Sequence, residues 1–260
     1  MSAHENFLLA NIDARAFEEL LPHGNVVRLT SGDVIAETRV EIDKVYFPHN
    51  GIISCVVALT GGGVIETAMI GRDGAFGITL SMDGRRAFND AVVQVSGEAT
   101  TFDVRVFSDI AERYPGFRKQ ILTYEQFHLA EVQQTAACNA VHSVLARTCR
   151  WLLRMYDLVG VEIAVTQEGL SQMMGVRRTS VTDAAKVLQN SGAITISRGH
   201  VKIVDLAKIS AHSCECHANV ARNYRWLRHR ERRAKLFPAH GSQIQPTERK
   251  FDPKSKIFGS

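Results

Sequence analysis

The distribution of prolines places the strongest constraint on the fold of this chain. The sequence of 260 residues contains six prolines, and none lies between Pro115 and Pro238. Because proline interrupts helices, a run of this length without proline favours helical structure in the second half of the chain. Before Pro115 the sequence alternates short apolar runs with turn signals, which is typical of strands. The sequence therefore predicts an α+β protein with strands first and helices second.

The short apolar runs before Pro115 predict an antiparallel roll or sandwich. Turn signals such as Asn50-Gly51 and Ser96-Gly97 separate the runs, as expected for strands joined by tight turns. A short amphipathic helix at about residues 12–21 precedes them. We assign residues 1–115 to a double-stranded β-roll of the jelly-roll type. The predicted strands are residues 26–29, 45–47, 52–59, 64–70 and 91–95.

A helical pattern follows over residues 116–159, where apolar residues recur at steps of three and four. The pattern predicts a long helix that is broken once near Asn139. A helix of this length cannot bury both faces on a small domain, so we expect a partner helix and assign the segment to dimerisation and linkage. Two ordinary core helices are the alternative interpretation.

The segment over residues 165–191 has the pattern of a helix-turn-helix. Thr166 is suited to cap a first helix through its hydroxyl group, and Gly175 permits the turn that ends this helix. A second helix follows, with its apolar residues on one face and with Arg177 and Arg178 at its start. The combination predicts a DNA-binding motif.

The second helix of this motif is the predicted recognition helix. A recognition helix enters the major groove with its N-terminal end towards the base edges, which requires long hydrogen-bond donors at its start. Arg178 can donate two hydrogen bonds to guanine O6 and N7, whereas Arg177, Ser180 and Thr182 are better placed for phosphates. The candidate DNA contacts are Thr166, Arg177, Arg178, Thr179, Ser180, Thr182, Asp183, Lys186, Arg198 and His200.

Residues 193–204 alternate apolar and polar side chains on both sides of Arg198-Gly199. This pattern predicts a two-stranded hairpin with a basic tip. Directly after a recognition helix, such a hairpin is interpreted as a wing that lies on the DNA backbone. We assign residues 160–217 to a winged helix-turn-helix domain, and a generic helical pair with a hairpin is the alternative.

The motif from Thr166 to Arg178 resembles the Crp/Fnr superfamily of bacterial regulators, and the likeness extends over residues 6–217. The resemblance implies a cyclic-nucleotide-binding-like β-roll as sensor, a long dimerisation helix and a winged helix. It implies that Arg178 reads bases, with Thr179 and Asp183 at the two other base-facing positions. The implied partners are double-stranded DNA, a second copy of the chain and RNA polymerase, and the implied movement is a shift of the winged helix at a hinge near Gly160.

The sensor region departs from the pattern of the nucleotide-binding members of that family. These members carry a glutamate and a serine or threonine beside an arginine, but residues 70–95 have no glutamate after Phe76-Gly77 and no Ser or Thr after Arg86. This departure argues against cyclic AMP and cyclic GMP as the effector, and the identity of the effector is left open. A constitutive DNA binder with a degenerate sensor is an alternative interpretation. The candidate effector contacts are Gly74, Phe76, Gly77, Arg85, Arg86, Tyr124 and His128.

The five cysteines are scattered, which is a poor disulfide framework. Cys214, Cys216 and His217 offer thiolates and an imidazole, which bind zinc or iron well. Two cysteines one residue apart form a strained chelate, and the sequence shows no usual second pair, so we assign no metal site. A redox- or metal-responsive regulator that senses through Cys214 and Cys216 is the alternative.

The basic charge of the chain is concentrated at its C-terminus. Residues 218–260 hold 11 Lys and Arg against 3 Asp and Glu, whereas the whole chain has a net charge of +4. Residues 221–236 could form a basic helix with Tyr224 among arginines. This tail either supports DNA binding through phosphates or is a solvated extension.

Two further expectations follow from motifs that the sequence lacks. There is no apolar run of membrane-spanning length and no secretory signal pattern, so we expect a cytoplasmic protein without membrane contact. The sequence has no His-x-His pair for a cupin-type metal site, no Gly-x-Ser-x-Gly and no phosphate loop. We therefore expect no enzymatic activity.

Overall fold

The N-terminal half of the molecule is a β-roll of two antiparallel sheets. A computed structural model of the chain describes residues 5–79, 81 and 86–225. One sheet has the strand order β1-β7-β3 and the other has the order β2-β6-β4-β5. The strands are β1 (Asn25–Leu29), β2 (Val34–Ala36), β3 (Lys44–Pro48), β4 (Ile52–Ala58), β5 (Val64–Ile70), β6 (Asp90–Val95) and β7 (Gly97–Asp103).

The C-terminal half is mainly helical, and its three short strands form one small sheet. The helices of the chain are α1 (Ala14–Leu20), α2 (Val104–Arg113), α3 (Pro115–Val141), α4 (Val144–Val159), α5 (Gln167–Met174), α6 (Arg178–Asn190) and α7 (Leu206–His212), followed by α8 at residues 216–225. The short strands are β8 (Glu162–Ala164), β9 (Ile194–Ser197) and β10 (His200–Ile203). The predicted α+β class, with a roll, a long helix and a helix-turn-helix, is confirmed.

The break predicted near Asn139 lies at residues 142–143, between α3 and α4. His142 has extended backbone angles and ends α3. Ser143 then caps α4, because its hydroxyl oxygen accepts a hydrogen bond from the backbone N–H of Ala146 at 3.3 Å. The interruption therefore comes from a serine cap, a local signal that helical periodicity does not show.

An aromatic cluster fills the β-roll. Phe47 of β3 and Phe102 of β7 meet edge to face at 5.8 Å between ring centroids. Phe107 of α2 and Phe117 of α3 meet at 5.2 Å in a similar orientation. All four side chains are almost fully buried, and edge-to-face contacts add to the stabilisation that burial gives. The cluster therefore fixes α2 and the start of α3 against the roll.

Helix α4 packs with the winged helix rather than with the aromatic cluster. Trp151, Leu152 and Leu158 are buried in one core with Leu170 of α5 and Val181 of α6. Ile52, Met69 and Val95 of the roll belong to the same core. We therefore propose that the C-terminal domain begins within α4, before residue 160.

Gly71, just after β5, lies against α4 at a point where a larger side chain does not fit. A Cβ atom on Gly71 would lie 3.1 Å from Cγ and 2.8 Å from Cδ2 of Leu158. Both residues are buried. Because Cγ is the branched centre of the leucine side chain, a small rotation at its end does not relieve the contact.

A buried carboxyl group also joins the roll to α4. Glu66 of β5 accepts hydrogen bonds from the hydroxyl of Ser54 at 2.5 Å and from Nε1 of Trp151 at 2.7 Å. Burial raises the pKa of Glu66 to about 7, although both hydrogen bonds oppose the shift. The protonated form is therefore populated at a pH where an exposed glutamate is ionised.

We predict that Glu66 makes the protein less stable as the pH rises from about 4.5 through 7. Folding raises the pKa of Glu66, so proton binding to this residue stabilises the folded state. This stabilisation is fully present below the unfolded pKa and is lost as the pH rises through the folded pKa. The loss is about 3 kcal/mol for a shift of this size. Glu66→Gln should flatten this part of the profile in urea unfolding at pH 5 and pH 8. The exposed Glu112→Gln serves as the control, and a Glu66→Gln profile as steep as that of the wild type would contradict the prediction.

We predict that Gly71→Ala destabilises the protein by about 1–3 kcal/mol, because the added methyl overpacks the contact with Leu158. Gly61→Ala is the matched control, since a Cβ atom there meets nothing within 4 Å. Leu158→Ala removes the clashing atoms, so the cost of Gly71→Ala should largely disappear in that background. Urea unfolding of the four variants measures the coupling, and additive costs would show that the two residues do not touch.

Candidate nucleic-acid interface

The first helix of the motif begins and ends as its sequence predicts. The Oγ1 atom of Thr166 accepts a hydrogen bond from the backbone N–H of Gly169 at 2.9 Å and caps α5. Gly175 ends the helix in the left-handed conformation, with φ of 62°, which an L-side chain rarely adopts. The turn then leads through Arg177 into α6.

Helix α6 separates a buried face from an exposed face. Val181, Ala184, Ala185 and Leu188 are buried against the rest of the domain. The small alanines allow α6 to approach α5 closely. Four of the candidate DNA contacts are on the exposed side of this helix: Arg178, Thr179, Asp183 and Lys186.

The exposed charges of α6 are held only by loose ion pairs. Nε of Arg178 lies 3.6 Å from Oε2 of Glu168, and Nζ of Lys186 lies 3.8 Å from Oδ1 of Asp183. Exposed pairs of this kind contribute about 0–1 kcal/mol. The side chain of Arg178 can therefore leave Glu168 for a stronger acceptor, such as a guanine edge, at little cost.

Thr182 has a partner within the motif. Its hydroxyl lies 2.9 Å from Oε1 of Gln167 and 3.1 Å from the backbone oxygen of Arg178, and it can donate to either. Thr182 and Ser180 are half-buried, whereas Arg177 is exposed. The geometry supports Arg177 as a phosphate contact more than Thr182, whose hydroxyl links α6 to the start of α5.

The predicted two-stranded hairpin is present, and a third strand extends it into a three-stranded sheet. β9 and β10 form the hairpin, with Arg198 and Gly199 at its turn, and β8 pairs with the other side of β10. The prediction missed β8 because three residues are too few to show alternation. Arg198 and His200 are exposed at the tip, as a contact with a DNA backbone requires.

The candidate effector residues lie in a tightly packed region beside α3. The Tyr124 ring is buried, and its hydroxyl oxygen accepts a hydrogen bond from the backbone N–H of Ala75 at 3.2 Å. A Cβ atom on Gly74 would clash with that hydroxyl. Phe76 is buried and exchanges two backbone hydrogen bonds with Tyr46, each 2.9 Å long. Tyr124 thus occupies the space beside the loop where the resemblance implies an effector.

The remaining candidate effector residues do not all converge on that loop. His128 stacks on Tyr124 at 6.1 Å between ring centroids, and Gly77 lies against Ile42. Arg86 is exposed, and its Nε is 4.0 Å from a carboxylate oxygen of Glu41. Arg85 lies outside the described residues. The structure therefore groups Gly74, Phe76, Tyr124 and His128, and places Arg86 at the surface.

One cavity in the β-roll is too small for a nucleotide. It is bounded by Leu8, Phe47, Ile78 and Phe117 and has a volume of about 10 Å³. A small-molecule site usually has about 300 Å³ or more. The interior next to this cavity is filled by the aromatic cluster.

Two groups of residues were not singled out as sites by the sequence analysis. Asp73, Glu131, Arg154 and Tyr224 form a buried hydrogen-bonded network, in which Arg154 donates to both carboxylates. Cys138 and His142 lie beside Cys214 and Cys216, so the expectation that a second ligand pair is missing is wrong. Each group combines residues that are far apart in sequence, and sequence spacing gives no signal for such contacts.

The described part of the basic tail packs on the protein. Residues 216–225 are helical, and Tyr224 is buried with its ring 4.9 Å from the guanidinium of Arg154. The expected helix is thus present over residues 221–225, but Tyr224 packs on the protein and is neither solvated nor open to DNA. The predicted basic helix beyond residue 225 lies outside the described residues.

In the part of the chain that the structure describes, no helix combines the length and the apolar character needed to span a bilayer.

Comparison with known proteins identifies the domain and the fold. The family model for the Crp-like helix-turn-helix domain matches residues 146–211. FixK2 from Bradyrhizobium japonicum is similar in structure, with a TM-score of 0.64 and 12% identity over 74% of this chain and 98% of that chain. TTHB099, a CRP-family transcriptional regulator from Thermus thermophilus, gives 0.61 and 18% over 72% and 96%.

A third similar structure is the c-di-GMP-responsive global regulator CLP from Xanthomonas campestris, with a TM-score of 0.59 and 15% identity over 74% of this chain and 99% of that chain. Among curated proteins, no significant match to the sequence was found. The resemblance inferred from the sequence is confirmed: the chain carries a Crp-like helix-turn-helix domain and has the fold of the Crp/Fnr family regulators.

Proposed function

We propose that the protein is a dimeric, sequence-specific DNA-binding transcription regulator whose N-terminal β-roll receives a signal. The observation that carries the proposal is the exposed start of α6, the second helix of the helix-turn-helix, where Arg178 and Thr179 are both open to solvent. Its partners in this proposal are double-stranded DNA, a second copy of the chain and RNA polymerase. The protein acts in the cytoplasm and needs no enzymatic activity.

The contacts with DNA follow from the positions of the exposed donors. Arg178, the first residue of α6, reads guanine through O6 and N7, and Thr179 reads the neighbouring base. Asp183 accepts a hydrogen bond from cytosine N4 or excludes a nearby phosphate. Five further candidate contacts bind phosphates and so position the domain on the DNA backbone. They are Arg177, Ser180 and Lys186 at α6, and Arg198 and His200 at the tip of the wing.

The exposed face of α3 supports the dimer. Leu122 and Leu129 lie seven residues apart and are 50% and 56% exposed, and the exposed Ala136 continues the same spacing. Apolar residues at a seven-residue spacing on a long helix are typical of a seam between two helices. A twofold axis along α3 presents the same face of both chains to each other and brings two recognition helices to a near-palindromic site.

The β-roll and the winged helix are in direct contact, which gives a signal a physical route. Glu66 binds Trp151, and Gly71 packs on Leu158 of α4. A change in the roll would shift α4 and with it the winged helix, with Gly160 at the end of α4 as the predicted hinge.

The dense packing of Tyr124 against Gly74 favours a second candidate, a constitutive DNA binder with a degenerate sensor.

We predict that Arg178→Ala abolishes the enrichment of a palindromic sequence in selection from random duplex DNA. Loss of a bidentate arginine should weaken binding to the selected site by about 1–3 kcal/mol. Arg178→Lys keeps the charge but not the planar fork, so it should retain affinity for DNA and relax the preference for guanine. The exposed Arg105→Ala on α2 is the matched control. Enrichment of the same palindrome with Arg178→Ala would contradict base reading by this residue.

We predict that the double variant Leu122→Glu, Leu129→Glu is monomeric in sedimentation at micromolar concentration, because four like charges would meet in the seam. The wild type should sediment as a dimer. Val40→Glu, which changes an equally exposed apolar residue of the roll, should leave the dimer intact. A wild-type monomer, or a dimer that survives the double substitution, would exclude α3 as the dimer surface.

A further inference from the structure

We propose that Cys138, His142, Cys214 and Cys216 form a binding site for one Zn²⁺ ion. Their ligand atoms, three Sγ and one imidazole nitrogen, all lie within 4.8 Å of one another. Three thiolates and a histidine are a common ligand set of structural zinc sites. The site is additional to the DNA-binding surface and to the candidate effector region.

Two of the distances match a zinc tetrahedron. Sγ of Cys138 and Sγ of Cys214 are 3.6 Å apart, and Sγ of Cys216 is 3.5 Å from Nδ1 of His142. Zinc binds sulfur at about 2.3 Å and nitrogen at about 2.0–2.1 Å, so the edges of its tetrahedron are about 3.8 Å between sulfurs and about 3.6 Å between sulfur and nitrogen. These two pairs are thus already at the spacing that one ion requires, and all four ligand atoms lie within 4.8 Å of one another.

The fold supplies the two ligand pairs from separate elements. Cys138 and His142 are four residues apart at the end of α3, which places them on one face. Cys214 lies in the segment between α7 and α8, and Cys216 is the first residue of α8. Cys138 and Cys216 are fully buried, so the site is closed on the protein side. His217 is not part of it, because its Nε2 is 2.8 Å from Oδ2 of Asp157.

Neighbouring polar groups are placed to orient the ligands. Nε2 of His142 lies 3.4 Å from a carboxylate oxygen of Glu215, which leaves Nδ1 free to bind the ion. Such a carboxylate partner is usual for a histidine that binds zinc. Nε2 of Gln134 donates a hydrogen bond to Sγ of Cys216 at 3.1 Å, which stabilises a thiolate. These contacts are expected around a metal ligand set.

The compact geometry favours a single ion over an iron–sulfur cluster. A cluster interposes several iron and sulfide atoms between its ligands, so the ligand atoms are farther apart than those of one ion. Because the Cys138 and Cys214 sulfurs are in contact, the group fits one tetrahedral ion. A disulfide between these two residues is the competing chemistry, and it is an outcome of the test.

The position of the site indicates its role. Cys138 is on α3, the helix that carries the proposed dimer seam, and His142 ends that helix, whereas Cys214 and Cys216 follow the winged helix. A bound ion therefore fastens the end of the DNA-binding domain to the dimer helix. This role rests on the proposed function, but the presence of the ion does not.

The test is metal analysis of the purified full-length protein by mass spectrometry, together with titration of its free thiols. The expected result is one zinc per chain in the wild type and in Cys55→Ser, a buried cysteine outside the group. Cys138→Ser and His142→Ala should each lose the zinc. Reconstitution of the wild type with Co²⁺ should give the ligand-field bands of a tetrahedral ion and thiolate charge-transfer absorption, and this readout does not depend on variants that fold.

Three results would overturn the proposal. They are a wild-type protein with five free thiols and no metal, a disulfide within the group, and stoichiometric iron in place of zinc. None of these results depends on DNA binding, so failure of the zinc site and failure of the proposed function are distinguishable. A zinc-loaded protein that selects no DNA sequence would leave the site in place and contradict the function.

Discussion

The buried guanidinium of Arg154 is the interaction on which the arrangement of the two halves depends. It lies at the meeting point of the β-roll, α3, α4 and α8, and it donates hydrogen bonds to Oδ2 of Asp73 at 2.6 Å and to Oε1 of Glu131 at 3.0 Å. Tyr224 donates to the other oxygen of Glu131 at 3.0 Å. An arginine does not release its proton in a protein, so its charge must be matched where it is buried. Any movement that separates these elements exposes or breaks this network.

The network explains why the molecule holds its DNA-binding surface in a defined pose. Glu66 and Trp151, together with Gly71 and Leu158, make further contacts between the roll and α4. The proposed zinc site acts at the other end of α3. The winged helix is therefore tied to the rest of the molecule at several points, while the exposed face of α6 stays free. The proposed function needs both properties, since a regulator must transmit a change and still reach DNA.

Helix caps, turns and the buried faces of helices could be predicted from the sequence because each depends on residues that are close together in the chain. The cap at Thr166, the turn at Gly175 and the alanines of α6 each depend on neighbouring residues, and the structure has them where the sequence places them. The strands β2, β7 and β8 were missed. β2 and β8 have only three residues, which give no alternation to detect, and β7 has mainly polar and small residues and no apolar run. The helix break was expected near Asn139, and its position at residues 142–143 depends on the capping serine, Ser143, and not on apolar spacing.

The sequence by itself determined the order of the elements, the helix-turn-helix and the exposed face of its second helix, because helical and strand periodicities are properties of adjacent residues. Only the tertiary structure decided which distant side chains meet. Cys138 and Cys214 are 76 residues apart and Asp73 and Arg154 are 81 apart, yet each pair is in contact. Such contacts are set by the packing of whole helices on the roll, and no spacing along the chain records them.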